Sequence, residues 1–335
     1  MSSDRRSEVR ILYGDPAQGT RSLYRQALIG SGYTNLREFD SLENFADVIL
    51  VAQPDLVFMD IGLPGGDPVK LIGDLRHGRL GVNPYLPIIL TTWEAEQAVV
   101  RRIVDSGADD LLIKPLSIKA LIDRIETVGL NRKPFVVTSD YIGPDRRRAA
   151  ARRESSVPLI EVPNPIRAKL TGEPIDAKLL QQAIMATNDQ VNQQRLRASA
   201  FRISFVAEQI IPRYKAQDMP DADTLTMLGD LIVSTEEIQR RVADTEFAHV
   251  AMICDRLLMP ARQMAERGED FVFSPDWQKS FDLVKTLADA VLALFHPDRE
   301  ASTLAGEVAS AIDRFRARKT APPAVPAEEA APPAN

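Results

Sequence analysis

A chain of 335 residues is longer than one ordinary core, and 44% apolar residues is a globular content, so two domains with connecting segments are expected. The single cysteine, Cys254, excludes a disulfide framework. No apolar run approaches the roughly 20 residues that a membrane helix needs, and the start, MSSDRRSEVR, has no signal-peptide apolar region, so the expectation is a cytoplasmic protein with no membrane contact.

Residues 1–130 carry 14 basic and 18 acidic side chains, residues 131–155 carry 7 and 3, and residues 156–320 carry 20 and 24. Two mildly acidic bodies joined by a basic strip weigh against a DNA-reading output, which would show a basic face.

From the amino end, apolar runs at Val9–Tyr13, Leu36–Phe39, Leu56–Met59, Ile88–Thr91 and Leu111–Ile113 alternate with amphipathic stretches near 17–30, 41–51, 68–76, 95–105 and 117–128. Strict alternation implies right-handed crossovers and a parallel sheet covered on both faces. Leu56-Val57-Phe58-Met59 and Ile88-Ile89-Leu90 lack polar alternation, as strands buried on both sides do. The first 130 residues therefore predict a five-stranded, doubly wound α/β domain.

Residues 131–174 lose this pattern. A short β-like run, a turn at Gly143-Pro144, an arginine cluster and Pro158, Pro163 and Pro165 predict an extended linker with solvated arginines. From 175 to 319 the chain predicts an all-α bundle or coiled coil. Ile184, Val191, Ala198 and Phe205 recur at seven residues, giving one helix from about 176 to 210, stopped by Pro212. Asp223 is the candidate cap of a second long helix whose face carries Leu225, Leu228, Ile232, Val242, His249 and Ile253, with Pro260 kinking or ending it. A third follows Ser274-Pro275-Asp276 and stops at Pro297, and a fourth spans about 298–318 with Leu304, Val308, Ile312 and Phe315 on one face. Helices this long invite pairing within the chain or between two chains, and the Ala/Pro tail 320–335 predicts disorder.

Moving a phosphoryl group onto a carboxylate needs a nucleophilic Asp, a divalent cation on oxygen ligands, a cation against the phosphoryl oxygens and a hydroxyl for the product. In an open α/β sheet such groups gather at the carboxyl ends of strands. Asp15 follows the first strand, Asp60 the third, Thr91-Thr92 the fourth and Lys114-Pro115 the fifth.

The segments FMDIGLP, LTTW and LIKPLS, in this order, resemble the response-regulator receiver family over residues 9–128. The resemblance implies a flavodoxin-like receiver fold with Asp60 as phosphoacceptor, Asp15 and the Gly62 backbone carbonyl joining Asp60 around Mg²⁺, and Thr92 and Lys114 against the phosphoryl group. It also implies Pro115 on a cis bond. Thr91, adjacent to Thr92, competes for the hydroxyl role. Three departures stand out: a single acid in the run Tyr13-Gly14-Asp15-Pro16 where the family normally has two acidic residues after the first strand, bulky Trp93 where a small residue is common, and Leu111 in place of a switching aromatic.

The resemblance makes a histidine kinase or phosphotransfer protein the phosphoryl donor. The helical half then predicts a homodimer that binds a downstream signalling protein, with no enzymatic activity beyond the receiver's own phosphoryl transfer. Two alternatives remain, a relay in which His249 is a second acceptor and a transcription regulator. His249 reads as a packed histidine on an apolar face, His296 as closing a helix, where a positive charge is favoured, and His77 as a loop residue. The histidines and cysteine show no metal-ligand spacing, and no glycine-rich phosphate loop supports a histidine kinase.

Overall fold

Apolar strands with no polar alternation need cover on both faces, and the helices between them supply it. In this computed structural model residues 3–43, 45–80, 83–147, 157–173, 176–216, 220–243, 245, 247–268 and 275–320 are described. They divide into two units, Met1–Arg195 and Leu196–Asn335.

The first unit opens with the short helix α1 (Ser3–Arg6), followed by β1 (Ile11–Gly14), α2 (Gln18–Gly30), β2 (Leu36–Phe39), α3 (Phe45–Ala52), β3 (Leu56–Asp60) and α4 (Pro68–Arg76). Next come β4 (Ile88–Thr92), α5 (Gln97–Asp105), β5 (Asp110–Ile113) and α6 (Ile118–Leu130). The strands form one parallel sheet in the order β2-β1-β3-β4-β5. Side chains alternate between two cores. Ile11, Tyr13, Phe58 and Ile89 pack beneath α2 and α6, and Leu12, Val57, Met59, Ile88 and Leu90 beneath α3, α4 and α5. The predicted doubly wound sheet is the observed one. Helix starts follow local chemistry: Asp67 accepts from the Val69 amide to cap α4 with Pro68 behind it, and Ser117 accepts from the Ala120 amide to cap α6.

The stretch 131–174 corrects the expectation of a solvated linker. Strands β6 (Phe135–Val137) and β7 (Ile142–Pro144) form an antiparallel hairpin, and Phe135 also bridges Ile160. Pro165 begins a helix, α7 (Pro165–Thr171), capped by Asn164, because a proline in the first turn loses no hydrogen bond. Ile166 and Leu170 of α7 join the core beneath α6.

The hairpin is fastened to the amino ends of β4 and β5 by a buried ionic cluster. The Asp109 carboxylate accepts from Arg76 Nη2 at 2.9 Å, Arg132 Nε at 2.7 Å and the Ile88 amide at 2.8 Å. The remaining Arg76 donors reach the carbonyls of Gly107, Pro84 and Leu86, and both guanidiniums lie over the Phe135 ring, at 5.3 and 5.1 Å. Burial pushes Arg76 down to about 10, against the pull of the Asp109 charge. Gly107 (φ +85°) and Gly143 let the backbones touch here: a Cβ on Gly107 would strike the Ile142 carbonyl, and one on Gly143 would lie 2.7 Å from the Gly107 Cα. Arg146 donates to the Ala108 carbonyl, whereas Arg148, Arg152 and Arg153 lie outside the described residues.

Helix α8 (Ala177–Ala216) begins in this unit: Ile184 and Val191 pack on the hairpin core, Asn188 accepts from the Tyr85 hydroxyl at 2.7 Å, and Arg195 donates to the Thr138 carbonyl. The unit boundary therefore falls inside α8, well beyond the expected divisions at 130 and 174. Pro212 does not stop α8. It sits exposed within the helix while Ile210, Ile211 and Tyr214 beside it are buried, and that packing outweighs the lost backbone bond.

The second unit joins the carboxyl half of α8 to α9 (Ala222–Val242), α10 (Val250–Arg267), α11 (Pro275–Phe295) and α12 (Ala301–Thr320). Leu196, Ile203, Leu231, Leu257 and Phe281 share its main core, and Phe201 and Phe205 pack against Leu304 and Val308 of α12. The predicted second helix is two, broken between Val242 and Val250, with Pro260 buried inside the latter. Its cap is Asp221, whose carboxylate accepts from the Thr224 amide; Asp223 lies in the first turn. His249, read as packed, is exposed at the cap position of α10. His296 does close α11, with Nδ1 2.9 Å from the Leu292 carbonyl, and burial pushes its pKa below the ordinary value, against the pull of that bond. Ser274 and the 321–335 tail lie outside the described residues.

Glu237 receives Arg240 at 2.8 Å and Arg241 at 2.7 Å. Burial alone would raise its pKa; the bonds and charges of the two arginines win and hold it at about 2, below its ordinary 4.5. A carboxylate lowered on folding stabilises fully above its unfolded value and loses that contribution as pH falls from 4.5 to about 2. Urea unfolding of Glu237→Gln should therefore differ from the parent at pH 7 and converge with it near pH 2.

Candidate functional site

In the order β2-β1-β3-β4-β5 the chain leaves β1 to one side and returns on the other, so a crevice opens between the carboxyl ends of β1 and β3. Asp15 stands just past β1 and Asp60 ends β3, both almost fully buried. Each carboxylate is held from below by the chain's own turn: Asp15 Oδ1 accepts from the Ala17 amide at 2.9 Å, and Asp60 Oδ1 from the Gly62 amide at 2.8 Å. A Cβ on Gly62 would lie 2.9 Å from that Asp60 oxygen, so a larger residue there would make the carboxylate shift.

Lys114 enters from the end of β5 across a cis Lys114–Pro115 bond. Its Nζ lies 2.5 Å from Asp15 Oδ2 and 2.6 Å from Asp60 Oδ2, spanning both carboxylates. Burial would push the ammonium down, but the bonds to Asp15 and Asp60 more than reverse this and hold it above its ordinary value. The Trp93 ring, 67% exposed, lies with its centroid 5.5 Å from Lys114 Nζ, a cation–π contact on the open side.

The structure thus brings Asp15, Asp60, Lys114 and the Gly62 turn together, and it separates Thr92 from them. Asp60 and Thr91 are register partners on adjacent parallel strands, so their side chains share a face, and Thr91 Oγ1 donates to Asp60 Oδ2 at 3.2 Å. Thr92 points the other way, and its Oγ1 accepts from the Glu94 amide at 3.0 Å. Tyr24 of α2 was not foreseen. It is buried edge-on against Phe58 near Thr91 and Lys114, and its phenol is pushed up by that burial. Only knowledge of strand register could have separated the two threonines.

Among the described residues no cluster of three His, Cys, Asp or Glu side chains could hold a metal. The donors present are two carboxylates and nearby backbone carbonyls. These are hard oxygens of the kind that bind Mg²⁺, which needs only one or two carboxylates when phosphate oxygens and water complete its shell. The residues fit that ion.

A doubly wound sheet with two carboxylates and a lysine at its switch point defines a receiver-type domain. The family model for the response regulator receiver domain matches residues 11–126. The chain is 31% identical over 159 residues to the KDP operon transcriptional regulatory protein KdpE of Escherichia coli, covering 45% of this chain and 68% of that one. It is 32% identical over 128 residues to the response regulator MprA of Mycobacterium tuberculosis, covering 38% of this chain and 53% of that one. Among solved structures, the chemotaxis response regulator CheY4 of Vibrio cholerae matches with 18% identity and a TM-score of 0.33, over 36% of this chain and 98% of that one. The chain belongs to the response regulator receiver family. Relatives named as transcriptional regulatory proteins give no support to the expectation that DNA is not a partner. No described helix is long and apolar enough to cross a membrane.

Proposed function

We propose that this protein is a cytoplasmic response regulator that accepts a phosphoryl group on Asp60 from a phosphohistidine of a histidine kinase or phosphotransfer protein. One observation carries the reading: the Lys114 ammonium within 2.6 Å of both Asp15 and Asp60 at the switch-point crevice. An Asp60 carboxylate oxygen attacks phosphorus, the P–N bond of the donor breaks, and its electron pair stays on the imidazole. Lys114 stands against the phosphoryl oxygens that gain charge. Asp15, Asp60 and the Gly62 carbonyl would hold Mg²⁺, which supplies charge neutralisation when bound.

The added charge then recruits a hydroxyl. Thr91 already holds Asp60, so Thr92 is the one to turn inward, giving up the Glu94 amide and drawing the β4–α5 loop with it. Trp93, next in the chain and stacked on Lys114, reports that movement in place of the aromatic missing at Leu111. The helical unit carries the signal onward as a homodimer bound to a downstream protein. Two other outputs have specific support: the relatives' names point to transcription, and exposure of His249 makes it reachable as a second acceptor.

Labelling with ³²P acetyl phosphate tests the assignment. Label on the parent should be base-labile, as an acyl phosphate is, and Asp60→Asn should carry none. Acid-labile label that disappears in His249→Ala would instead make His249 an acceptor, and label persisting in Asp60→Asn would overturn the reading.

A further inference from the structure

The Asp60 carboxylate has a third donor besides the Gly62 amide and the Lys114 ammonium, and it comes from the core. Thr91 Oγ1 donates to Asp60 Oδ2 at 3.2 Å, and Thr91 is fully buried on β4 as the register partner of Asp60. Behind Thr91 stands Tyr24 of α2, buried with its ring edge-on to Phe58 at 4.9 Å between centroids. Its hydroxyl is hydrogen-bonded to that of Thr91 and feels the charges of Lys114, Asp15 and Asp60. A threonine hydroxyl has one proton and an ionised carboxylate can only accept. That proton therefore goes to Asp60, and the phenol donates to Thr91. Burial raises the Tyr24 pKa, so the phenol keeps the proton it donates. The bonds form a directed chain from Tyr24 through Thr91 to Asp60.

We propose that Tyr24 and Thr91 are positioning residues that favour the ionised Asp60 carboxylate over its acyl phosphate, and so shorten the life of the phosphorylated state. This rests on the functional reading above. In hydrolysis a water oxygen attacks phosphorus, the P–O bond to Asp60 breaks, and its electron pair returns to the carboxylate. One proton of the water stays on the inorganic phosphate and the other passes to solvent. Both carboxylate oxygens gain negative charge as the bond breaks, and a hydrogen bond to an ionised acceptor is about twice as strong as one to a neutral acceptor. Lys114 can follow the phosphoryl oxygens. Thr91 is held in the sheet and stays with Asp60, so its bond strengthens as the carboxylate departs. Tyr24, by donating to Thr91, polarises that hydroxyl further.

Loss of ³²P from Asp60 of the full chain, followed after acetyl phosphate is removed, tests this. Thr91→Val keeps the shape and removes the hydroxyl. It should lengthen the half-life about fivefold or more, as the loss of a hydrogen bond to a charged group allows. Thr91→Ser, which keeps the hydroxyl, should stay near the parent. Tyr24→Phe should lengthen the half-life about twofold, through weaker polarisation of Thr91, and should add nothing to Thr91→Val because it acts through that hydroxyl. The initial labelling rate should fall in none of them. Beryllofluoride, a phosphoryl mimic that takes a carboxylate oxygen, should bind Thr91→Val more tightly than the parent, read by Trp93 fluorescence in a Trp277→Phe background. Thr91→Ala serves if the valine variant folds poorly. A parental half-life in folded Thr91→Val would overturn the proposal, as would slower labelling with faster loss, the mark of loosened packing. Full additivity of Tyr24→Phe with Thr91→Val would overturn the part given to Tyr24. Absence of acyl phosphate on the parent and on every variant would end the functional reading, and this proposal with it.

Discussion

Asp109→Ala should lower the unfolding free energy of the first unit by about 3–5 kcal/mol, the usual loss when one partner of a buried ion pair is removed. Against a typical total of roughly 5–15 kcal/mol this is a large fraction. The reason is that Asp109 serves two guanidiniums at once, Arg76 with a side-chain exposure of 1% and Arg132 with 5%. Without the carboxylate, two cations remain buried side by side over the same aromatic ring, with no anion between them. The Ile88 amide also loses its acceptor. Urea unfolding followed by far-ultraviolet circular dichroism reads the change as a lower midpoint at similar slope. A double-mutant cycle with Arg132→Ala separates network from packing: the two losses should be less than additive by 1 kcal/mol or so, as contacting residues in one network are. Strict additivity would show that the cluster carries little energy. The fraction that stays folded should still take label on Asp60, because the cluster lies at the amino ends of β4 and β5, at the opposite edge of the sheet from the crevice.

That cluster also marks where sequence reasoning stopped. Strand runs such as Leu56–Met59 and the acidic, hydroxyl and lysine residues at strand ends were legible because period and position are local properties. Asp15, Asp60 and Lys114 meet as their places at strand ends require. The hairpin was not legible. Its strands have three residues each, its arginines read as solvated charge, and the acceptors of Arg132, Asp109 and the Tyr85 and Pro163 carbonyls, stand 23 or more positions away in the chain. The break between Val242 and Val250 escaped for a different reason. Apolar residues continue through it at helical spacing, and no glycine or proline announces it. Pro212 and Pro260 misled in the opposite sense, since buried neighbours kept both helices intact. The choice between Thr91 and Thr92 turned on one residue of register, which no local pattern supplies.

Lys114→Met should slow labelling of Asp60 by acetyl phosphate about 10²–10³-fold, the cost of removing one preorganised charge from a developing anion. Methionine keeps the length and apolar stem of the side chain, so the comparison isolates the ammonium. In the resting protein that ammonium is shared between Asp15 and Asp60, and its loss leaves two buried carboxylates facing one crevice. The variant should therefore also be less stable in chelator, by a few kcal/mol at most, and it should recover part of that loss as Mg²⁺ is added. Trp93 gives an independent reading. With no cation 5.5 Å from its ring centroid, its emission should shift in Lys114→Met even in the unphosphorylated state, and beryllofluoride should then change it less than in the parent. Lys114→Arg sharpens the test, since it keeps the charge and loses the compact geometry that lets one atom reach both carboxylates. Rapid labelling of folded Lys114→Met would show that the lysine only balances charge in the resting crevice. Slow labelling with unaltered Trp93 emission would separate the chemistry from the cation–π contact.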